Sequence, residues 1–271
     1  MSPSDTTAPH ARRSETRPAL MLCALVMLLS ACGGLHAQET NATLGLTSGV
    51  VTRGIALGHG GAAVQATVTH YSADMWFASL GAATLGAPWN RAQAVQVQGT
   101  IGRAWRFSDD WGAQLAYTYY AYPFDPSQRR YERSELGATL AYRDLAFLSV
   151  SGLRNPHAEP YGSRRGVAYD LVLRYPLHPH LAATAGAGYQ DLRGRSSVGY
   201  DYVSTAVAVT AGSADLRGRS SVGYGYGHLG VALGVEPAQL DLSYIATDAN
   251  AKARFGRSAS NRWAASLTWR F

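Results

Sequence analysis

The chain has 271 residues, enough for one large domain or two small ones, with only 15% charged residues and 29 glycines. That is fewer charges than a soluble globular domain carries, where about a quarter of residues are charged. The formal charge of +6 comes almost wholly from arginine, Lys252 being the sole lysine, and the arginines are scattered rather than gathered on one face. With no recognition helix, zinc-ligand spacing or RNP-like strand beside them, a nucleic-acid-binding protein is excluded.

Residues 1–37 form a leader. Arg12, Arg13 and Arg17 precede the apolar run "ALMLCALVMLLSA", too short for a spanning helix and right for a signal-peptide core. Cleavage after Ala37 leaves a mature chain of 38–271. "LSAC" ending at Cys32 is an overlapping alternative, a lipoprotein box. Both cysteines, Cys23 and Cys32, lie in the leader, so cleavage after Ala37 exports a chain without disulfides. No later stretch approaches 18 consecutive apolar residues. A closed β-barrel is then the remaining way to cross a membrane.

From Asn41 onward the pattern has a period of two. In "WGAQLAYTYYAY", Trp111, Ala113, Leu115, Tyr117 and Tyr119 share one face, and Gln114, Thr118, Tyr120 and Tyr122 the other. "GVAYDLVLRYPL" sets Val167, Tyr169, Leu171, Leu173 and Tyr175 against Asp170 and Arg174. "RWAASLTWRF" sets Trp263, Leu267, Trp269 and Phe271 against Arg262, Ser266, Thr268 and Arg270. A soluble sandwich also alternates, but three features favour a membrane barrel. The segments reach the roughly ten residues a tilted strand needs to cross a bilayer. Trp105, Trp111, Tyr142, Tyr175, Tyr189, Trp263 and Trp269 sit near strand ends on the apolar face, as an interfacial girdle would. Connections alternate between short ones such as "SAD", "SDD" and "EPA" and long ones such as "PFDPSQRR" and "DANAKARFGRSASN".

The predicted strands are 41–53, 62–72, 75–86, 94–107, 111–123, 132–143, 145–154, 165–177, 181–192, 223–235, 239–248 and 261–271. The expected fold is an all-β, transmembrane, antiparallel up-and-down barrel of about 12 strands with both termini on the periplasmic side. Phe271 ends the last strand and is the expected signal to the barrel-assembly machinery. Outer-membrane lipid and lipopolysaccharide are the other expected partners.

One stretch is left over. "DLRGRSSVGYDY" from Asp191 returns as "DLRGRSSVGYGY" from Asp215, a tandem duplication of 191–214 as 215–238. An insert in an up-and-down barrel adds two strands or none. It makes a hairpin of a 14-stranded barrel, or an extension above the membrane. The weak apolar face of "SADLRGRSS" favours the extension.

"LGLTSGVVTRGIALGHGGAAVQATVTHYSADMWFASLGAA", with Arg53, Gly54 and Ile55 followed by Gln65 and Trp76, resembles the opening of the TorF-type porin family of proteobacterial outer-membrane barrels. "GYGYGHLGVALGVEPAQLDLSYIATD" and "WAASLTWRF" resemble its late strands. Gly49 and Val50 stand where that family has Asp-Tyr. The resemblance implies a bacterial outer-membrane barrel with pore function.

Lumen parity collects Arg53, Arg133, Glu135, Arg143, Asp170, Arg174, Asp241, Arg262 and Arg270 as pore-lining candidates. They read as an arginine-lined path favouring anions, or as ion pairs that fill a narrow barrel. Asp170, four positions before Arg174 on the same face, is placed to neutralise it. A hydrolase is a distant third reading. Asp201, Asp215 and His228, or Ser196, Ser197, Ser220 and Ser221, lie near one rim without a persuasive base. His157, His178 and His180 stand in separate turns without metal-ligand spacing. No enzyme activity, cofactor or metal is expected. The leading expectation is a passive porin-like channel for small polar or anionic solutes, with a non-conducting structural or surface-interaction barrel as the alternative.

Overall fold

The computed structural model describes residues 39–57, 61–85, 95–124, 132–156, 163–195 and 219–271. The leader, its cleavage site, Cys32, Ser196, Ser197, Asp201, Asp215 and His157 lie outside the described residues.

Twelve strands close into an antiparallel barrel. In chain order they are β1 (Glu39–Thr47), β4 (Ala63–Tyr71), β5 (Trp76–Thr84), β6 (Val95–Arg106), β7 (Trp111–Ala121), β8 (Arg133–Tyr142), β9 (Ala146–Arg154), β10 (Ser163–His178), β11 (Leu181–Arg195), β12 (Arg219–Val235), β13 (Ala238–Thr247) and β14 (Arg262–Arg270). Each pairs with the next around the ring, and β1 closes it against β14, from Thr43 opposite Arg270 to Thr47 opposite Ser266. Closure leaves no unpaired edge, which a bilayer would not tolerate. The remaining pair, β2 (Val51–Thr52) and β3 (Ile55–Ala56), forms a separate two-stranded hairpin.

Alternation decides which side chains face out. Leu136, Leu140, Leu148, Leu171, Leu229 and Leu242 all expose between 40% and 68% of their surface, a cost that only lipid removes. The polar faces of the same strands turn inward and pair. Thr69 donates to Ser79 at 3.0 Å, Thr100 and Thr118 meet at 3.0 Å, and Thr139 and Ser149 at 2.9 Å. An apolar exterior around a hydrogen-bonded interior makes this a transmembrane barrel.

Exposed aromatics mark both rims. At the short-turn end are Trp76, Trp105, Trp111 and Tyr175, and at the other Tyr117, Tyr119, Tyr169, Tyr189, Tyr244 and Trp263. Trp111 and Tyr119 are ~26 Å apart along β7 at ~3.3 Å per residue, or ~20 Å of membrane depth at ~40° tilt. The short turns are 72–75, 107–110, 143–145, 179–180 and 236–237, and both chain ends of the barrel, Glu39 and Phe271, lie on their side. Phe271 is tied in by paired backbone hydrogen bonds with Ala42, of 2.9 and 3.2 Å.

The duplication adds no barrel strand. β11 pairs directly with β12, so the 14-stranded alternative is overturned. The two copies also face each other. Asp191 to Arg195 of the first copy lie opposite Gly223 to Arg219 of the second. Copying one hairpin end thus supplied both arms of a longer hairpin. The intervening residues 196–218 lie outside the described residues.

The first strand is shorter than expected. β1 ends at Thr47, not at 53, and the chain then turns inward as β2 and β3. Alternation runs on through "GVVTRGIA" and cannot by itself distinguish a wall strand from a hairpin that leaves the wall.

Candidate functional site

The β2–β3 hairpin crosses the lumen. Its root lies between β1 and β4. At its tip Arg53 and Gly54 both take positive φ, 48° and 79°. Gly54 is needed there. A Cβ would come within 2.6 Å of the Thr247 side chain and 2.8 Å of that of Tyr226, besides the strained backbone. Val50 and Leu57, flanking the hairpin, pack on buried Leu85 and Tyr122 on one side of the lumen. Ile55 packs on the other, with Tyr224, Tyr226 and a short helix, α1 (Ala249–Phe255).

That helix comes from the β13–β14 connection. Asp248 caps it, accepting from Ala251 N at 2.8 Å, and its other carboxylate oxygen accepts from Gly225 N of β12 at 2.7 Å. One side chain therefore starts the helix and ties it to the wall. Ala251 and Ala259 are fully buried, and Phe255 packs edge-on against Tyr224 with ring centroids 5.4 Å apart.

Arg53 makes the central contact. It donates to both carboxylate oxygens of Glu135 on β8, at 3.2 and 3.0 Å, and through Nε to Asp170 on β10 at 3.5 Å. β8 and β10 flank β9, the point of the ring opposite β1, so the hairpin rooted beside β1 reaches across the lumen and Arg53 anchors its tip to the far wall. Arg133 donates to Glu135 at 2.8 Å and lies 4.0 Å over the Tyr120 ring. Tyr226 donates to Asp170. Two arginines and two carboxylates thus form one clasp with no net charge. The side chains of Arg53, Arg133 and Glu135 are only 10–14% exposed.

The other candidates are spread along the barrel. Asp241 accepts from Gln239 at 2.9 Å, and Gln239 accepts from Arg270 at 2.9 Å, a chain near the short-turn mouth. Arg174 is exposed in the short-turn part of β10. Its expected neutraliser, Asp170, is engaged by Arg53 and Tyr226 instead. Arg262 donates to the carbonyls of Arg257, Ser258 and Ser260, holding a 3-10 turn, so its charge serves the long-loop rim. Arg143 is not on the lumen wall. It stands in the 143–145 turn, bonded to Asp110 at 2.8 and 3.3 Å. That hydrogen bond holds the Asp110 carboxyl below its usual range. His178 and His180 face each other at 6.0 Å, and among the described residues no three His, Cys, Asp or Glu side chains converge.

Beside the hairpin lies a polar cavity of about 150 Å³, lined by Thr52, Gln65, Thr67, Gln96, Gln98 and Tyr120 among others. Gln96 donates to Tyr122 at 2.7 Å, and on the other side of the lumen Tyr224 of β12 donates to Gln190 of the adjoining β11 at 2.7 Å. Amides and hydroxyls at this level can exchange hydrogen bonds with a passing polar molecule. Among the described residues of this site no nucleophile stands beside a base.

No protein-family model and no curated protein sequence matches the chain. Among solved structures it is similar to "KdgM porin in complex with disordered oligogalacturonate", at 7% identity and a TM-score of 0.47, covering 86% of this chain and 99% of that one. It is also similar to the NanC porin, at 11% identity and a TM-score of 0.49, covering 86% and 98%. A third is LpxR from Salmonella typhimurium, at 9% identity and a TM-score of 0.41, covering 85% and 99%.

Proposed function

We propose that the protein is a porin-like passive channel of the bacterial outer membrane that admits small polar solutes. The observation that carries this reading is the polar cavity beside the hairpin. The hairpin narrows the lumen, and amides and hydroxyls line the space it leaves. Hydrogen-bonding groups replace part of a solute's hydration there without holding it tightly, as diffusion requires. The clasp has no net charge, so anion preference rests on Arg174 and Arg270 at the short-turn half rather than on an arginine ring. The leader 1–37, cleaved after Ala37 or acylated at Cys32, would direct export. Phe271 would engage the assembly machinery, and the TorF-type resemblance fits the same setting.

One observation favours the second reading, a filled structural barrel: the hairpin rooted between β1 and β4 is anchored by Arg53 to the opposite wall. Liposome swelling separates the two. Vesicles carrying the refolded protein should swell quickly in iso-osmotic arabinose and scarcely in raffinose. No swelling with either sugar, from a barrel shown to be folded by heat-modifiable migration, would overturn the channel.

A further inference from the structure

Arg103 has the wrong parity for the lumen. It stands between Ile101 and Trp105 on the outer face of β6, and those neighbours are 56% and 37% exposed. Its cross-strand partners share that face: Trp76, 50% exposed, on β5 and Leu115, 44% exposed, on β7. An arginine facing lipid costs ~2–4 kcal/mol at the bilayer midplane but only ~0–1 near an interface. Arg103 is at the interface. Trp76 is the first residue of β5, and Ala104 N bonds to Met75 O in the adjoining short turn at 2.9 Å.

Two indoles hold the guanidinium. Its Cζ lies 5.6 Å from the Trp76 ring centroid and 5.7 Å from that of Trp105. Both ring faces attract the cation and restrict its rotation. What the site lacks is an anion. Among the described residues Arg103 makes no ion pair, and its Nε is enclosed without a hydrogen-bond partner. Asp74 in the adjoining turn makes no ion pair with it. The nearby Arg106 has lumen parity and pairs with Asp109 at 3.8 Å. The enclosed Nε is out of reach of an outside acceptor, but the terminal guanidinium nitrogens also have no partner among the described residues, and it is they that can take an acceptor from outside the chain.

We propose that Arg103, Trp76 and Trp105 form a binding site for the phosphate of a glycerophospholipid in the leaflet on the short-turn side. A phosphodiester matches the planar fork of the guanidinium. Its acyl chains would lie along Leu80, Ile101 and Leu115, which continue the same face toward the membrane centre. The indoles exclude water at the headgroup level. The source is a lipid rather than free phosphate, because the site opens onto the apolar exterior.

Native mass spectrometry of the refolded full chain tests this, using phosphatidylglycerol, a diacylglycerol of the same acyl chains, and inorganic phosphate alone. The wild type should retain phosphatidylglycerol and lose the diacylglycerol. Arg103→Gln should weaken phosphatidylglycerol binding about tenfold, the scale of a hydrogen-bonded charge, and Arg103→Lys should fall between them. Equal retention of the two lipids by the wild type overturns the proposal without any variant being needed. Retention of inorganic phosphate alone, displacing the lipid, overturns the lipid as the occupant. Arg103 faces away from the lumen, so neither result bears on conduction.

Discussion

Glu135→Gln is expected to convert a weakly selective lumen into an anion-preferring one. Glu135 holds Arg53 through two hydrogen bonds and Arg133 through a third. The substitution leaves both guanidiniums in the lumen with one fewer carboxylate between them. Removing one partner of a largely buried ion pair costs about 3–5 kcal/mol. Here part of that cost falls on the seating of the hairpin, because Arg53 is its anchor on the far wall. The clasp changes from no net charge to a net positive one, so the reversal potential in a salt gradient should move toward anion preference. Adding Arg53→Gln should move it back. A reversal potential unchanged in the single variant, with currents intact, would show that ions do not pass the clasp.

The second large effect is on stability. Leu171 is on the outer face of β10, 40% exposed, between Leu148 and Ala187 on the adjoining strands. Arginine there should destabilise the barrel by roughly 2–4 kcal/mol in lipid. Ser266→Arg is the control. Ser266 faces the lumen directly across from Asp241, so the new cation meets a carboxylate and should cost under about 1 kcal/mol. Denaturant unfolding in lipid vesicles measures both, and equal costs would contradict the assignment of faces.

Much of the wall was legible in the sequence, because a bilayer imposes one rule on every strand. Tyr169, Leu171 and Leu173 face out and Asp170 faces in for the same reason that Trp263 faces out and Arg262 in. The lumen was less legible. Arg53 reaches the interior from the tip of a hairpin that leaves the wall, although the alternation of "VVTRGIA" reads as strand. The turn-forming Arg53–Gly54 pair was the available signal. α1 lies in a stretch read only as a long connection, although Asp248 before "ANAKARF" is a capping residue followed by helix formers. Its burial against Tyr224 had no signal, since a local pattern does not say what a loop folds onto. Ala168 shows the same limit. Its parity places it in the lumen, but it is fully buried there, because parity gives direction and not the space beyond. Arg143 was misplaced by one residue of strand length. It lies just past the end of β8, where alternation no longer assigns a face.

Whether an open path runs past the hairpin is decided most directly by single-channel recording of the refolded wild-type protein in a planar bilayer. The structure leads us to expect stable stepwise currents of small amplitude, narrowed by the hairpin, with a reversal potential displaced only slightly toward anion preference in a salt gradient. A barrel that is folded and inserted but electrically silent would contradict the channel and leave a structural barrel closed by the Arg53 clasp.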